Sequence, residues 1–339
     1  MIIDFHSHFV PRDFPPPPPS GTDPAWPRMV PTEHGRRALH VGQRRFRELD
    51  AVFWDVGERL AMMDADGIDR QVISPLPELL SYWVNQRLAP MLVSSINQDC
   101  ARLVAGADGR LLGLGILPLQ DIQASLDELD IIARTPGLVG IFVGSNVNGR
   151  SIASEQFDPV IAAAARLGLI VFVHGIRPAG AERLEGPSLM NAIVGLPHET
   201  TSVVASFMAR NIMTRHPELQ LVFSHGGGGI GSVLGRMQAM WEHFPSLREA
   251  MHIAPVEAAR SFWYDTAVLG PEYTSYLIDR FGADRLLAGT DGPTDVGQKD
   301  LARFVAATGA SDQQQQMIRG DNAQRLLALA RGRRLVAAA

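Results

Sequence analysis

The feature that most constrains the fold is a regular alternation of short apolar runs with longer helical patterns along almost the whole chain. Runs rich in Ile, Leu, Val and Phe predict strands at 2–5, 70–74, 111–117, 138–143, 169–174, 220–225, 262–266 and 285–291. Helical periodicity predicts helices at 56–66, 84–106, 121–133, 157–167, 189–213, 230–243 and 271–281. This order favours one closed (β/α)8, TIM-like barrel over an open sheet with a second domain. We therefore expect an α/β fold with a single barrel domain at 1–339.

A proline-rich segment at about 11–54 interrupts the alternation. It carries PRDFPPPPPS and GTDPAWPRMVP, and this density of proline excludes a helix. We expect a small inserted lobe after the first strand, with a hairpin at 37–46; a flexible linker is the alternative. The lobe is favoured because loops on the strand-exit face of a barrel shape the active site. At the other end, the pattern at about 311–333 predicts C-terminal closing helices.

Composition excludes several classes of function. The 339 residues are 46% hydrophobic, which is enough for a large core. A formal net charge of -5 without a long basic run gives no reason to expect nucleic acid, and no uncharged stretch is long enough to span a membrane. The single cysteine, Cys100, excludes a disulfide framework and a cysteine-rich zinc module. Because the N-terminus shows no secretory leader, we expect a cytoplasmic protein with neither nucleic acid nor membrane as partner.

Histidines and one aspartate stand at the ends of four predicted strands. His6 and His8 follow the first strand, His174 ends the fifth in LIVFVHG, His225 ends the sixth in LVFSHGGGG, and Asp291 ends the eighth in LLAGTDGP. A single histidine in such a place is usually a surface or packing residue, but four at one edge of a barrel are improbable by accident. Since His6 and His8 are two residues apart, a strand would point them to the same face.

These residue types are typical metal ligands. Imidazole nitrogen and carboxylate oxygen bind Zn²⁺ and related divalent ions, and three or four protein ligands plus an open position describe a catalytic site. Such an ion lowers the pKa of its bound water to about 7. The sequence therefore predicts one divalent metal ion; Zn²⁺ is the default for this ligand set, and Mn²⁺ is possible.

Several segments carry a resemblance to a known family: FHSHFVP, LPLQD, LPHET, HGGGG followed by LGR, and GTDGP. They resemble the amidohydrolase superfamily, in detail its ACMSD-like (α-amino-β-carboxymuconate-ε-semialdehyde decarboxylase) branch of metal-dependent decarboxylases, over nearly the whole chain. The resemblance implies a lyase that decarboxylates a small unsaturated or aromatic carboxylate, of the carboxymuconate semialdehyde or hydroxybenzoate type, using metal-bound water. It also implies a homodimer.

The resemblance assigns roles to individual residues. It implies that His6, His8, His174 and Asp291 hold the metal, and that His225 acts as the acid/base beside the bound water. His225 and Asp291 are thus the expected catalytic residues.

Two arginines match substrate-binding positions of the family. Arg47, in RRFRE, matches the arginine that holds the substrate carboxylate, and Arg236, in LGR, matches the arginine that reaches the site of a neighbouring subunit. A guanidinium can direct two donors onto one carboxylate. Solvated surface arginines are the alternative for both positions.

The chain also departs from relatives of this superfamily. Binuclear members bridge two metals with a carboxylated lysine at the end of strand four, but here that strand ends in GLVGIFVGSN and Lys299 is the only lysine, so we predict one metal. The segment 174–200 has no tryptophan where the resembling decarboxylases place one, and GPTD follows Asp291 where the family has an aromatic residue and a proline. Both departures remove aromatic surface from the pocket.

Two other functions are compatible with the same residues. The site would serve a hydrolase of a C-N, lactone or C-C bond in an aromatic-degradation pathway equally well, because hydrolysis also uses a Lewis acid, an activated water and a histidine. A non-catalytic metal-binding or ligand-binding barrel is a third possibility, but it has no use for an acid/base residue such as His225.

Overall fold

The computed structural model describes residues 1–17, 23–187 and 189–337, and side chains as far as residue 330. The strands are β1 (Ile3–Phe9), β2 (Pro27–Pro31), β3 (Arg37–Val41), β4 (Arg44–Leu49), β5 (Arg70–Pro75), β6 (Leu111–Gly115), β7 (Leu138–Gly144), β8 (Asn146–Val147), β9 (Arg150–Ser151), β10 (Ile170–His174), β11 (Gln220–Phe223), β12 (Trp263–Asp265) and β13 (Leu286–Leu287). The helices are α1 (Val56–Ala65), α2 (Ala89–Ala105), α3 (Ile122–Arg134), α4 (Asp158–Arg166), α5 (Leu196–Ala209), α6 (Ile212–Arg215), α7 (Ile230–His243), α8 (Pro245–Ala250), α9 (Pro255–Ala259), α10 (Pro271–Phe281), α11 (Leu301–Ala307), α12 (Asp312–Gln316) and α13 (Asn322–Ala337).

Eight parallel strands form the barrel, which confirms the predicted α/β barrel. Their order is β1-β5-β6-β7-β10-β11-β12-β13, the order of the chain. All residues of β6, β7 and β10 are buried, as expected where helices cover the sheet from outside.

The barrel closes between its first and last strands through a few backbone hydrogen bonds. The Phe5 N–H donates to the Ala288 carbonyl at 2.7 Å, and the Asp291 N–H donates to the His6 carbonyl at 2.8 Å. Ser7 and Gly292 form a parallel bridge in the same region, which we call the seam of the barrel. The two segments that carry the first and last predicted metal ligands, β1 and the segment after β13, are therefore hydrogen-bonded to each other.

The first and last strands differ in length from the sequence prediction. β1 continues to Phe9, so His6 and His8 lie within the strand rather than after it. β13 covers only Leu286–Leu287, because the chain beyond it follows β1 irregularly and turns at Asp291, whose φ is 58°. β1 is longer because its second half pairs with β5, with Ser7 opposite Ile73 and Phe9 opposite Pro75, whereas a few irregular contacts with β1 replace a regular ladder along the last strand.

The segment between β1 and α1 contains a second, small sheet. β2, β3 and β4 pair antiparallel, with Leu39 opposite Arg47 in the β3–β4 hairpin. Leu39 and Leu49 are buried, and the Trp26 Nε1–H donates to the Pro15 carbonyl at 2.8 Å. Residues 18–22 of the predicted proline-rich lobe lie outside the described residues.

Two predicted helices are shorter in the structure. α2 begins at Ala89 rather than at residue 84, because the chain after β5 first makes a 3-10 turn at Pro77–Leu79 and then a loop. The helix predicted at 189–213 is divided into a π-helical turn at Asn191–Gly195, α5 and α6, and Ser188 is not described. No helix in the described part of the chain has both the length and the apolar character needed to cross a membrane.

A fully buried arginine ties α1 to the barrel. Arg59 has 0% exposure. It donates from Nη1 to Ser7 Oγ at 2.9 Å and to Gln71 Oε1 at 3.1 Å, and from Nη2 to the His8 carbonyl at 2.5 Å. Burial lowers the pKa of Arg59 to about 10, so it remains charged at neutral pH. The guanidinium therefore fixes the strand that carries His6 and His8.

Replacing this arginine tests how much it stabilises the fold. We expect Arg59→Met to lower the free energy of unfolding by about 3 kcal/mol, because it leaves several buried acceptors without donors. Denaturant unfolding of the purified protein measures the change. Glu58→Ala is the matched control, since Glu58 is exposed on the same helix and its loss should change stability by less than about 0.5 kcal/mol. Equal unfolding midpoints for the two variants would contradict this role.

Candidate metal centre

Two histidines of β1 face the same interior space. His6 and His8 are each 1% exposed, and their Nε2 atoms lie 3.2 Å apart. Phe172 and Phe142 lie against them, with ring centroids 5.1 Å from His6 and 5.9 Å from His8 respectively. The imidazoles thus rest on an apolar surface, which lowers the local dielectric and strengthens electrostatic interactions at the site.

The other two predicted histidines meet them from neighbouring strands. His174 is the last residue of β10 and is 3% exposed. His225 follows β11 by two residues, and its Nε2 lies 3.1 Å from Nε2 of His174. The ring centroids of His6 and His174 are 5.3 Å apart, and those of His6 and His225 are 5.1 Å apart.

Asp291 completes the cluster from the seam of the barrel. Its Oδ1 lies 3.0 Å from His8 Nε2 and 3.4 Å from His6 Nε2. One ligand atom from each of His6, His8, His174 and Asp291 lies within 4.8 Å of the others. The structure therefore brings together the four residues that the sequence predicted as ligands, and they form a metal-binding site.

The hydrogen bonds of the imidazoles determine which nitrogen faces this centre. Each Nδ1 is in contact with an oxygen acceptor: Asp265 Oδ2 at 2.6 Å for His6, the Pro75 carbonyl at 3.2 Å for His8, the Gly175 carbonyl at 2.8 Å for His174 and the Ala267 carbonyl at 2.8 Å for His225. Nδ1 therefore carries the proton, and in the neutral ring Nε2 carries a lone pair. Lone pairs that face each other at hydrogen-bonding distance repel unless a cation lies between them, so this donor set fits a divalent metal ion.

The charges around the histidines agree with a bound cation. Burial lowers the pKa of His6, but the negative charges of Asp265 and Asp291 outweigh burial and raise it to about 9. Burial lowers the pKa of His8, and burial with the neighbouring histidines holds the pKa of His174 well below its usual value. Burial raises the pKa of Asp291, but the His8 hydrogen bond and the nearby histidines outweigh it and hold that pKa well below the usual range. His8 and His174 are thus kept neutral and Asp291 ionised, which are the forms that bind metals, and the raised pKa of His6 reflects a negative charge that a bound cation would neutralise.

The glycines after His225 allow the backbone to turn tightly at the site. His225 itself has a φ of 52°. At Gly228, whose φ is 65°, a Cβ atom would lie 2.0 Å from the Pro197 carbonyl oxygen. The HGGGG sequence therefore allows close packing of the backbone against α5.

One residue of the centre was not singled out from the sequence. Asp265, at the end of β12, is fully buried and holds the Nδ1 of His6. Carboxylates in this position orient a metal-binding imidazole and increase its basicity. The only signal in the sequence was a lone acidic residue at the end of an apolar run, FWYDT.

The two predicted substrate arginines occupy different environments. Arg47, on β4, donates from Nε and Nη2 to Glu78 Oε1 at 3.3 and 3.2 Å. Glu78 lies three residues after Pro75, whose carbonyl is 3.2 Å from His8 Nδ1. Arg47 is therefore joined to the loop that contacts His8, a link that the sequence did not indicate. Arg236, in contrast, is exposed on α7.

Comparisons with known proteins agree with this geometry. Residues 3–329 match the sequence profile of the family described as Amidohydrolase. The 2-amino-3-carboxymuconate-6-semialdehyde decarboxylase of Dictyostelium discoideum is 29% identical over 299 residues, 88% of this chain and 83% of that protein. The gamma-resorcylate decarboxylase of Rhizobium sp. (strain MTP-10005) is 26% identical over 303 residues, 84% of this chain and 90% of that protein. The solved structure of dihydroxybenzoic acid decarboxylase from Polaromonas sp. JS666, with bound manganese and the inhibitor 2-nitroresorcinol, shares this fold with a TM-score of 0.78, 19% identity and 97% coverage of both chains.

Metal binding tests the assignment of the ligands. We expect chelator-treated protein to take up one equivalent of Zn²⁺ or Mn²⁺ per chain, and His174→Ala to bind the ion at least about 10-fold more weakly because one nitrogen donor is lost. Elemental analysis and competition with a fluorescent chelator measure both quantities. His34→Ala is the control, since the His34 side chain is 89% exposed. Unchanged affinity in His174→Ala would contradict the assignment.

Proposed function

Because this chain belongs to the amidohydrolase family, as its sequence predicted, we propose that it is a metal-dependent, non-oxidative decarboxylase of an unsaturated or aromatic carboxylate. The observation that carries the proposal is the cluster of three histidines and Asp291. Two relatives that align over most of the chain support it, since they decarboxylate a carboxymuconate semialdehyde and a resorcylate.

We assign His6, His8, His174 and Asp291 as the ligands of one divalent ion. Zn²⁺ is the default for three imidazoles and a carboxylate, and Mn²⁺, which the Polaromonas decarboxylase binds, is the alternative. When bound, such an ion supplies a Lewis acid and an activated water at neutral pH. A lysine-bridged pair of ions is excluded by the sequence, because Lys299 is the only lysine and is exposed beyond β13.

Two residues of the chain would act on the substrate. Arg47 would orient the substrate by its carboxylate, since a guanidinium presents donors in a planar arrangement. His225 would act as the acid/base: its Nδ1–H donates to the Ala267 carbonyl, so Nε2 is the atom that takes up and releases a proton. In the proposed reaction the C–C bond to the carboxylate breaks, its electron pair stays on the substrate carbon, and a proton from His225 replaces carbon dioxide there.

We further propose that Arg236 serves the site of a second subunit in a homodimer. Arg236 is exposed on α7, and Val233 and Met240 of the same helix are 37% and 40% exposed. Exposed apolar side chains around an arginine are typical of subunit contacts. The chain would act as one domain at 1–339, with the segment 11–54 supplying Arg47. A cytoplasmic location agrees with its single cysteine, the buried Cys100.

Product analysis tests the reaction directly. We expect the zinc-loaded or manganese-loaded protein to release carbon dioxide from at least one member of a panel of carboxylated muconates and hydroxybenzoates, and chelation to abolish the release. Mass spectrometry of the products separates decarboxylation from hydrolysis, because a hydrolase yields two fragments or a ring-opened acid that retains the carboxylate. Such products, or no carbon dioxide from any member of the panel, would refute the proposal.

A variant of the acid/base residue completes this experiment. His225→Asn should retain one metal per chain and lower kcat by about 10²-fold to 10⁴-fold, the usual contribution of a positioned acid/base. His252→Asn is the matched control, because His252 is exposed and should leave kcat unchanged.

A further inference from the structure

The loop after β5, which contacts His8, also carries an acidic side chain. Glu78 lies in the turn Pro77–Leu79, three residues after Pro75, whose carbonyl accepts the hydrogen bond from His8 Nδ1. The Glu78 side chain is 18% exposed, whereas Arg47 is 39% exposed. The carboxylate therefore occupies the inner part of this pair, closer to the protein interior than the guanidinium.

The two carboxylate oxygens of Glu78 differ in their hydrogen bonds. Oε1 accepts both hydrogen bonds from Arg47, at 3.3 Å from Nε and 3.2 Å from Nη2. Oε2 is buried and has no hydrogen-bond partner among the described residues. A buried carboxylate oxygen without a donor is costly, and native proteins almost always supply one from the chain, from water or from a ligand.

The ion pair with Glu78 also changes which ligands Arg47 can bind. An isolated arginine attracts any carboxylate, but here the charge of Glu78 cancels that of the guanidinium and would repel a second anion placed beside it. A ligand that brings its carboxylate to Arg47 is therefore disfavoured unless it also offers a donor to Glu78. A hydroxyl or amino group next to the carboxylate meets this requirement.

We propose that Glu78 determines substrate specificity by accepting, through Oε2, a hydrogen bond from a hydroxyl or amino group that neighbours the carboxylate held by Arg47. This inference rests on the proposed function of the site, which it narrows to hydroxy- or amino-substituted carboxylates. The corresponding O-methylated compounds are rejected, because they leave Oε2 buried and unpaired and place an apolar group against it.

Ligand binding measured without turnover tests this inference. The probes are 2-hydroxybenzoate and 2-methoxybenzoate, and their dissociation constants are measured by calorimetry on the zinc-loaded protein. We expect the wild type to bind the hydroxy compound at least about 10-fold more tightly than the methoxy compound, as for a hydrogen bond to a charged group. Glu78→Leu should reduce this ratio to within about 3-fold, and Glu78→Gln, which keeps an acceptor oxygen, should give an intermediate ratio.

A matched control separates this effect from a general loss of charge. Glu48→Gln removes a neighbouring carboxylate of β4 that pairs with Arg45, and it should leave the ratio unchanged. Metal content and the circular dichroism spectrum of each variant establish that the fold is retained. A ratio that persists in Glu78→Leu, a wild-type ratio near unity, or failure of the wild type to bind either probe would each overturn the inference.

Binding and product analysis together distinguish a failure of this inference from a failure of the decarboxylase proposal. If Glu78 governs the ratio but no carbon dioxide is released from any hydroxy- or amino-substituted carboxylate, the recognition site stands and the reaction is wrong. If carbon dioxide is released but the ratio does not depend on Glu78, the reaction stands and the specificity inference is wrong.

Discussion

Four imidazole rings direct their Nε2 atoms at one small space because each Nδ1 is held by an oxygen on the opposite side of the ring. The oxygens belong to Asp265 and to three backbone carbonyls, so the orientation is a property of the strands and their ends rather than of flexible side chains. Converging lone pairs repel each other, and the free energy needed to hold them together is recovered when a cation binds between them. The fold therefore holds these nitrogen atoms in positions that favour the binding of a divalent ion.

The contacts that close the barrel also assemble the centre. The Asp291 N–H bonds to the His6 carbonyl, and Asp4 accepts from the backbone and side chain of Thr290, next to Asp291. Burial raises the pKa of Asp4, which the donors from Thr290 and Gln71 oppose. The first strand and the segment after β13 thus meet at the position of the carboxylate ligand, Asp291. Arg59 holds the same first strand from outside the barrel. Stability of the seam and geometry of the metal site depend on the same hydrogen bonds.

Much of this arrangement could be predicted from the sequence, because the period of a strand and the common edge of a parallel barrel are local rules. They place His6, His8, His174, His225 and Asp291 together without any knowledge of tertiary contacts. Asp265 and Glu78 could not be found in this way. Their partners, His6 and Arg47, are distant in the chain, and one acidic residue at the end of a strand has no periodicity to mark it. The length of β1 was underestimated for a related reason: buried histidines interrupt an apolar pattern, although backbone pairing with β5 keeps them in the strand.

The most direct measurement of the central claim is X-ray absorption spectroscopy at the zinc edge on the zinc-loaded protein, combined with anomalous diffraction to locate the ion. The structure predicts one ion per chain with imidazole nitrogens at about 2.0–2.1 Å and a carboxylate oxygen at about 2.0–2.2 Å, positioned between His6, His8, His174 and Asp291. A second ion at about 3.5–4 Å, or an ion bound away from these four residues, would contradict it.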